Sequence, residues 1–183
     1  MPAKKQVTRD MILTAALQLL KEQGYAAVNI RQLAGALGRS TQPVYLSFAG
    51  MDELRAALTP LAAAEFAAYM KSRSADGVIR LYDSSYPRFA REQPQLFCFL
   101  FMRPNAFAEM KQTLLPMIEG AIAELMRTYH IDHAAADTLH DQLWMHAHGI
   151  AAMIATDFCD WDMQKVDRML ADCRRAFTQK YEA

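Results

Sequence analysis

The stretch Ile30-Arg31-Gln32-Leu33-Ala34-Gly35-Ala36-Leu37-Gly38-Arg39-Ser40-Thr41-Gln42-Pro43-Val44-Tyr45-Leu46-Ser47-Phe48 decides the fold. Ile30, Leu33, Ala34 and Leu37 share one face of a short helix, with Asn29 as its cap and Gly38 as its stop. A second short helix is expected over 41–47, capped by Ser40. Pro43 is admissible in its first turn, where backbone N–H groups have no intrahelical partner to lose. Val44 and Phe48 lie four apart and face the core. Helix, a turn of about three residues containing glycine, then helix is the layout of a helix-turn-helix. Its outward face presents Thr41, Gln42, Pro43, Tyr45 and Ser47, short polar or aromatic groups able to reach base edges and phosphates in a major groove.

Upstream, Ile12, Ala15, Ala16, Leu19 and Leu20 fall on one helical stripe, capped by Thr8 and ended by Gly24, which predicts a helix from Arg9 to Gln23. Downstream, Asp52 to about Lys71 reads as a longer helix kinked at Pro60. Further helical patterns span Val78 to Arg91, Pro94 to Met102, and Asn105 to about Tyr129 with an interruption near Pro116. Ala134 to Phe158 and Met163 to Tyr181 complete the chain. No segment carries a period of two, and no hairpin signal or repeat is visible, so the fold class is all-α. The expected architecture is an N-terminal three-helix helix-turn-helix unit, residues 1–50, joined through the fourth helix to a larger helical region, residues 51–183.

The residues from Thr8 to Leu54 resemble the N-terminal DNA-binding domain of the tetracycline-repressor (TetR) family. The likeness rests on Ile12-Leu13-x-Ala15-Ala16-x-x-Leu19-Leu20, Gly24-Tyr25, Ile30-Arg31-x-Leu33-Ala34, Val44-Tyr45-x-x-Phe48 and Asp52-Glu53-Leu54. It implies operator binding as a homodimer, with Tyr45 on a phosphate and Thr41, Gln42 and Pro43 lining the groove. Two positions depart from the family pattern: Arg39 stands where an apolar residue is common, and Met51 where a lysine usually reinforces phosphate binding. With no Lys or Arg in the second helix of the pair, Arg39 is expected to compensate at the groove edge. Lys4, Lys5 and Arg9 are expected to add backbone contacts from an arm. Asn29, Arg31 and Ser40 complete the candidate DNA-contact set.

In the C-terminal three-quarters, aromatic and methionine side chains recur on several helices. Phe66, Met70, Tyr82, Tyr86, Phe97, Phe101, Met117, Trp144 and His148 are candidates to line a cavity for an apolar or aromatic effector. Ordinary core packing is the competing reading for most of them individually. Phe89-Ala90-Arg91-Glu92-x-Pro94-x-Leu96-Phe97, with Trp144 and His148-Gly149, resembles the Trp-His-Gly C-terminal domain of a TetR subset, which implies effector binding and dimerisation. The last two long helices each keep an apolar stripe and are expected to pair with a second copy.

The 183 residues are 52% hydrophobic and 22% charged, which excludes a mostly disordered chain. Net charge is zero, but residues 1–56 carry a surplus of three positive charges that the remainder cancels, consistent with one polyanion-facing segment. Three unpaired cysteines argue for reduced thiols. The polar start without an apolar run behind it, and the lack of a membrane-length apolar segment, lead to a cytoplasmic expectation. His130 and His133 are three apart, and His140, His146 and His148 do not take the four-residue spacing that shares a metal, so no metal or cofactor is expected. No nucleophile motif, phosphate-cradling loop or carboxylate pair points to an enzyme. The function expected is a ligand-responsive transcriptional regulator that represses from a near-palindromic operator. The alternative is a helical ligand-binding dimer with weakened DNA binding.

Overall fold

Thr8 turns the chain into its first helix: the side-chain oxygen accepts the Met11 N–H at 3.2 Å, satisfying one of the donors a helix start leaves open. In this computed structural model, which describes residues 7–181, α1 spans Arg9–Gln23 and buries Ile12, Ala16, Leu19 and Leu20. Gly24 closes it at φ +82°, a conformation side-chain-bearing residues avoid, and a Cβ there would collide with the Gln95 side chain. A 3-10 turn over Tyr25–Ala27 leads to α2, Ile30–Ala36, capped by Asn29 as the pattern predicts. The third helix, α3, spans Gln42–Ser47. It starts one residue later than expected and Ser40 does not cap it. The Thr41 carbonyl accepts the Val44 and Tyr45 N–H groups instead, so the turn closes on backbone alone.

Helix α4, Met51–Arg73, is unbroken through Pro60, and α7, Ala106–Tyr129, is unbroken through Pro116, where the sequence pattern predicts an interruption. The reason is the same in both. Each proline sits on the exposed side of its helix, as does the residue four before it, Ala56 or Gln112, so the carbonyl deprived of its donor faces solvent.

The expected helix over Val78–Arg91 is a larger correction. Helix α5 begins only at Ser85 and runs to Glu92. Before it, Gly77 takes φ +79°, and the Ser74 hydroxyl donates to the Val78 carbonyl at 2.9 Å. Arg80 pairs with Asp76 at 2.6 Å and with Glu124 on α7. These polar groups satisfy one another and α7 in a folded-over loop, which removes the advantage of a helical ladder there.

Helix α6, Pro94–Phe101, buries Leu96, Phe97, Phe99 and Leu100 and is central, as its all-round apolar sequence requires. Helix α8, His133–Ala155, is capped by Asp132, and α9, Met163–Thr178, by Asp162. The buried stripe of α8, with Leu139, Leu143, Ala147, Ile150 and Ile154, packs against α5, α7 and α9. One buried core runs without interruption from Ile12 in α1 to Leu170 in α9. Among the described residues there are nine α-helices and no strand, and no helix is long and apolar enough to cross a membrane. The three cysteines are half-buried free thiols, and burial raises the pKa of Cys98 and Cys173 above the usual thiol value.

Candidate nucleic-acid interface

A helix as short as α3 has no stability of its own and must be held by what it packs on. Val44 and Phe48 provide the inward side, at 2% and 4% exposure, against α1 and α2. Its far end is gripped by Arg9. One guanidinium nitrogen donates to the Ser47 carbonyl at 2.5 Å and to Glu53 Oε1 at 2.9 Å, and the group lies 4.1 Å over the Phe48 ring. Glu53 Oε2 in turn accepts the Ala49 N–H at 2.8 Å. That backbone bond first, and Arg9 second, hold the Glu53 carboxyl below the usual carboxylate range. Arg9, expected on an arm along the DNA backbone, is therefore engaged inside the chain, tying α1, the end of α3 and the start of α4 together. Its partners lie 38 and 44 residues away, so no local pattern could have shown the clamp.

The outward surface of α3 carries Gln42, Tyr45 and Leu46, with Thr41 at its start; Pro43 and Ser47 are half-buried at its edges. Tyr45 is 62% exposed. Leu46, at 80% exposure, is not among the contact residues expected from the sequence. The signal for it was its position: it lies off the Val44–Phe48 stripe and four residues from Gln42, on the same side. Arg39 and Ser40 are exposed at the turn and Arg31 is exposed on α2. Asn29 caps α2. Its Oδ1 accepts the Gln32 N–H at 3.0 Å and its amide donates to the Ala27 carbonyl at 3.3 Å, so both ends serve the cap. Met51 is half-buried against the core at the start of α4. Lys4 and Lys5 lie outside the described residues.

The nine effector candidates are divided by the fold. Phe66, Tyr86, Phe97, Phe101, Trp144 and His148 meet in one aromatic cluster, with neighbouring ring centroids 5.1–6.3 Å apart. The Tyr86 hydroxyl and His148 Nδ1 share a hydrogen bond of 2.9 Å at its centre. Burial pushes the pKa of that hydroxyl well above the usual phenol value, with the neighbouring Trp144 side chain acting weakly in the opposite sense. Phe66, Tyr86 and Phe97 are fully buried, whereas Phe101, Trp144 and His148 are partly exposed and form the accessible side. The rings touch one another, so the cluster is packed core with a reachable rim. Met70 is buried near the end of α4, one helical turn after Phe66 and in the same continuous core. Tyr82 contacts His140 and Arg174 instead and lines a separate cleft of about 240 Å³ with Asp167 and Leu170. Met117 lines another, of about 260 Å³, with Val78, Ile79 and Pro116. Among the described residues no group of three His, Cys, Asp or Glu side chains is placed to hold a metal.

Residues 12–58 match the family described as bacterial regulatory proteins, tetR family. No curated protein matches the chain in sequence. Among solved structures, the chain is similar to a single-substitution variant of TetR from Acinetobacter baumannii AYE in complex with minocycline, with 19% identity and a TM-score of 0.53. That likeness covers 97% of this chain and 99% of the other, and at this identity it shows a common fold.

Burial lowers the pKa of His148, and of His140, below the ordinary value of 6.5, keeping both imidazoles neutral in the folded protein. In the unfolded chain each takes up a proton near 6.5, so the unfolded state binds more protons as pH falls below that value. Stability is then full above pH 6.5 and declines as pH drops toward the folded-state values. Urea unfolding at pH 7.5, 6.5 and 5.5 should show this decline, and His148→Gln should flatten it even if its stability at pH 7.5 is lower; an identical slope in the variant would refute the assignment.

Proposed function

We propose, for a chain whose residues 12–58 belong to the TetR family and which is therefore a DNA-binding transcriptional regulator rather than an enzyme, that it represses from a near-palindromic operator as a homodimer. In this reading residues 1–50 are the DNA-binding unit, residues 51–183 bind effector and dimerise, and the protein acts in the cytoplasm. The observation that carries it is the outward face of α3. Val44 and Phe48 are locked inward while Thr41, Gln42, Tyr45 and Leu46 stand clear of the protein. A single α3 projecting from a packed domain is the geometry by which a recognition helix enters a major groove.

The proposed DNA contacts are Gln42 to a base edge, Tyr45 to a phosphate, and Thr41, Pro43 and Ser47 along the groove. Arg39 and Ser40 approach the backbone from the turn and Arg31 from α2, and Lys4 and Lys5, outside the described residues, are proposed to add backbone contacts. Six of these ten groups are neutral and the four cations all lie outside α3, so α3 itself adds little to the electrostatic part of the affinity.

The dimer reading is supported by α8. Met145, Gly149 and Met153 follow one another at four-residue spacing. Met145 is 60% and Met153 39% exposed, and a Cβ on Gly149 would meet nothing. Phe158, just past the helix, is 78% exposed. A stripe of this kind, with α9 beside it, lets α8 cross its own copy closely about a two-fold axis. Two recognition helices then sit at successive major grooves, about 34–36 Å apart.

For the effector, the partly exposed rim of Phe101, Trp144 and His148 supports entry of a small apolar or aromatic compound. Such a ligand would repack the rings around Tyr86. The route back to the DNA unit is short. The Tyr25 ring packs at a tilt against Phe99 of α6, centroids 5.0 Å apart, and Thr59 of α4 donates to Glu109 of α7 at 3.3 Å. Displacing α6 changes the seat of the 3-10 turn after α1, and with it the spacing of the two α3 helices. Operator affinity and effector affinity are linked in this way.

Fluorescence anisotropy on the DNA flanking the coding region should show binding that weakens with salt, and Tyr45→Ala should reduce it about tenfold, the scale of one hydrogen bond to a charged group. Absence of salt-sensitive binding to any duplex would refute the regulator reading and favour a ligand-binding dimer with a weakened DNA module. Light scattering should give twice the chain mass of 20.7 kDa. Met153→Glu should halve that mass and abolish operator binding while leaving the helical content intact; a dimer that persists places the interface elsewhere.

A further inference from the structure

Leu46 is the most exposed large apolar side chain among the described residues. It belongs neither to the buried stripe of α3, which is Val44 and Phe48, nor to the set assigned to DNA contacts. It lies four residues after Gln42 and three after Pro43, so these side chains share one face, and Tyr45 beside it is also exposed.

The chemistry that can cover Leu46 in a major groove is narrow. An isobutyl group has no donor or acceptor, so it cannot pair with N7, O6, N6, N4 or O4 on the base edges. It gains nothing from a phosphate, whose hydration it would disturb. The one apolar feature the major groove displays is the 5-methyl group of thymine, which is absent from the other three bases. Water leaves both surfaces when the two meet, which is the driving force for burying an exposed leucine.

We propose that Leu46 is a specificity-determining residue that reads the 5-methyl group of a thymine in each operator half-site, beside the base addressed by Gln42. The proposal rests on the DNA-binding reading above, but adds a contact that reading does not require. It assigns T over C at one position to an apolar contact, where a hydrogen-bonding side chain would discriminate through the exocyclic groups.

The test uses the full-length protein and a duplex selected from random sequence by the wild-type protein. Each thymine of a half-site is replaced singly by deoxyuridine, which removes one methyl group and leaves every hydrogen-bonding group in place. At one position the wild-type protein should lose about fourfold in affinity, the effect of one methyl group no longer leaving water. Leu46→Ser should bind thymine and uracil equally at that position, and Leu46→Met should retain the preference. Circular dichroism melting confirms that both variants fold, as expected for an exposed site. If the wild-type protein binds the duplex but no uracil substitution weakens it, or if Leu46→Ser keeps the same sensitivity, the Leu46 assignment is overturned while the DNA-binding reading stands. If the wild-type protein selects no duplex, both fall.

Discussion

A six-residue helix stands or falls with its neighbours, and the whole apparatus of this protein is arranged to hold α3 still. An isolated helix of that length does not form in water, because the cost of nucleation exceeds what so few hydrogen bonds return. Two features compensate. Val44 and Phe48 are buried against α1 and α2, removing apolar area from water. The Arg9 guanidinium then bridges Ser47, Phe48 and Glu53, so that the end of α3 cannot swing away from α1 and α4. The ion pair by itself is half-exposed and weak. The backbone carbonyl it also holds, and the ring beneath it, make it a positioning device. Tight placement of the exposed face is what would let three or four side chains act as the base-reading surface proposed above.

The same logic extends into the larger region. Among the described residues no flexible tether joins α1–α3 to the later helices; the core continues from α1 through α4 and α6 to α8. Lys21 of α1 pairs with Glu65 of α4 at 2.8 Å, and Arg103 pairs with Glu109 at 2.9 Å. Tyr25 rests on Phe99, and the Arg103 guanidinium lies 4.3 Å over that same Phe99 ring. Packed interiors move between discrete arrangements instead of yielding gradually. A change among the rings around Tyr86 therefore has a physical path to α1 through α6.

What could be seen in the sequence was governed by local chemistry. Thr8, Gly24 and Asn29 mark helix ends because capping joins residues two to four apart, and Val44 and Phe48 read as inward because helical spacing fixes their side. What could not be seen depended on distant partners. The stretch from Val78 reads as helix, yet Arg80 is drawn to Glu124 on another helix and the segment folds over. Arg9 reads as a surface cation, yet its acceptors come from α3 and α4. Pro116 reads as a break, but its cost falls on a solvent-facing carbonyl. The aromatic residues were legible as a set, but their division between one ring cluster and two separate clefts follows from the approach of α5, α6 and α8, which no spacing rule conveys.

The central claim, that an internal clamp fixes the reading helix, is tested most directly by the salt dependence of DNA binding in Arg9→Gln. With Arg9 as a clamp, affinity should fall about tenfold, amide exchange in α3 should accelerate, and the slope of log K against log salt should match that of the wild-type protein. A slope reduced by about 0.9 per subunit, with α3 exchange unchanged, is the signature of a released phosphate contact and would contradict the account.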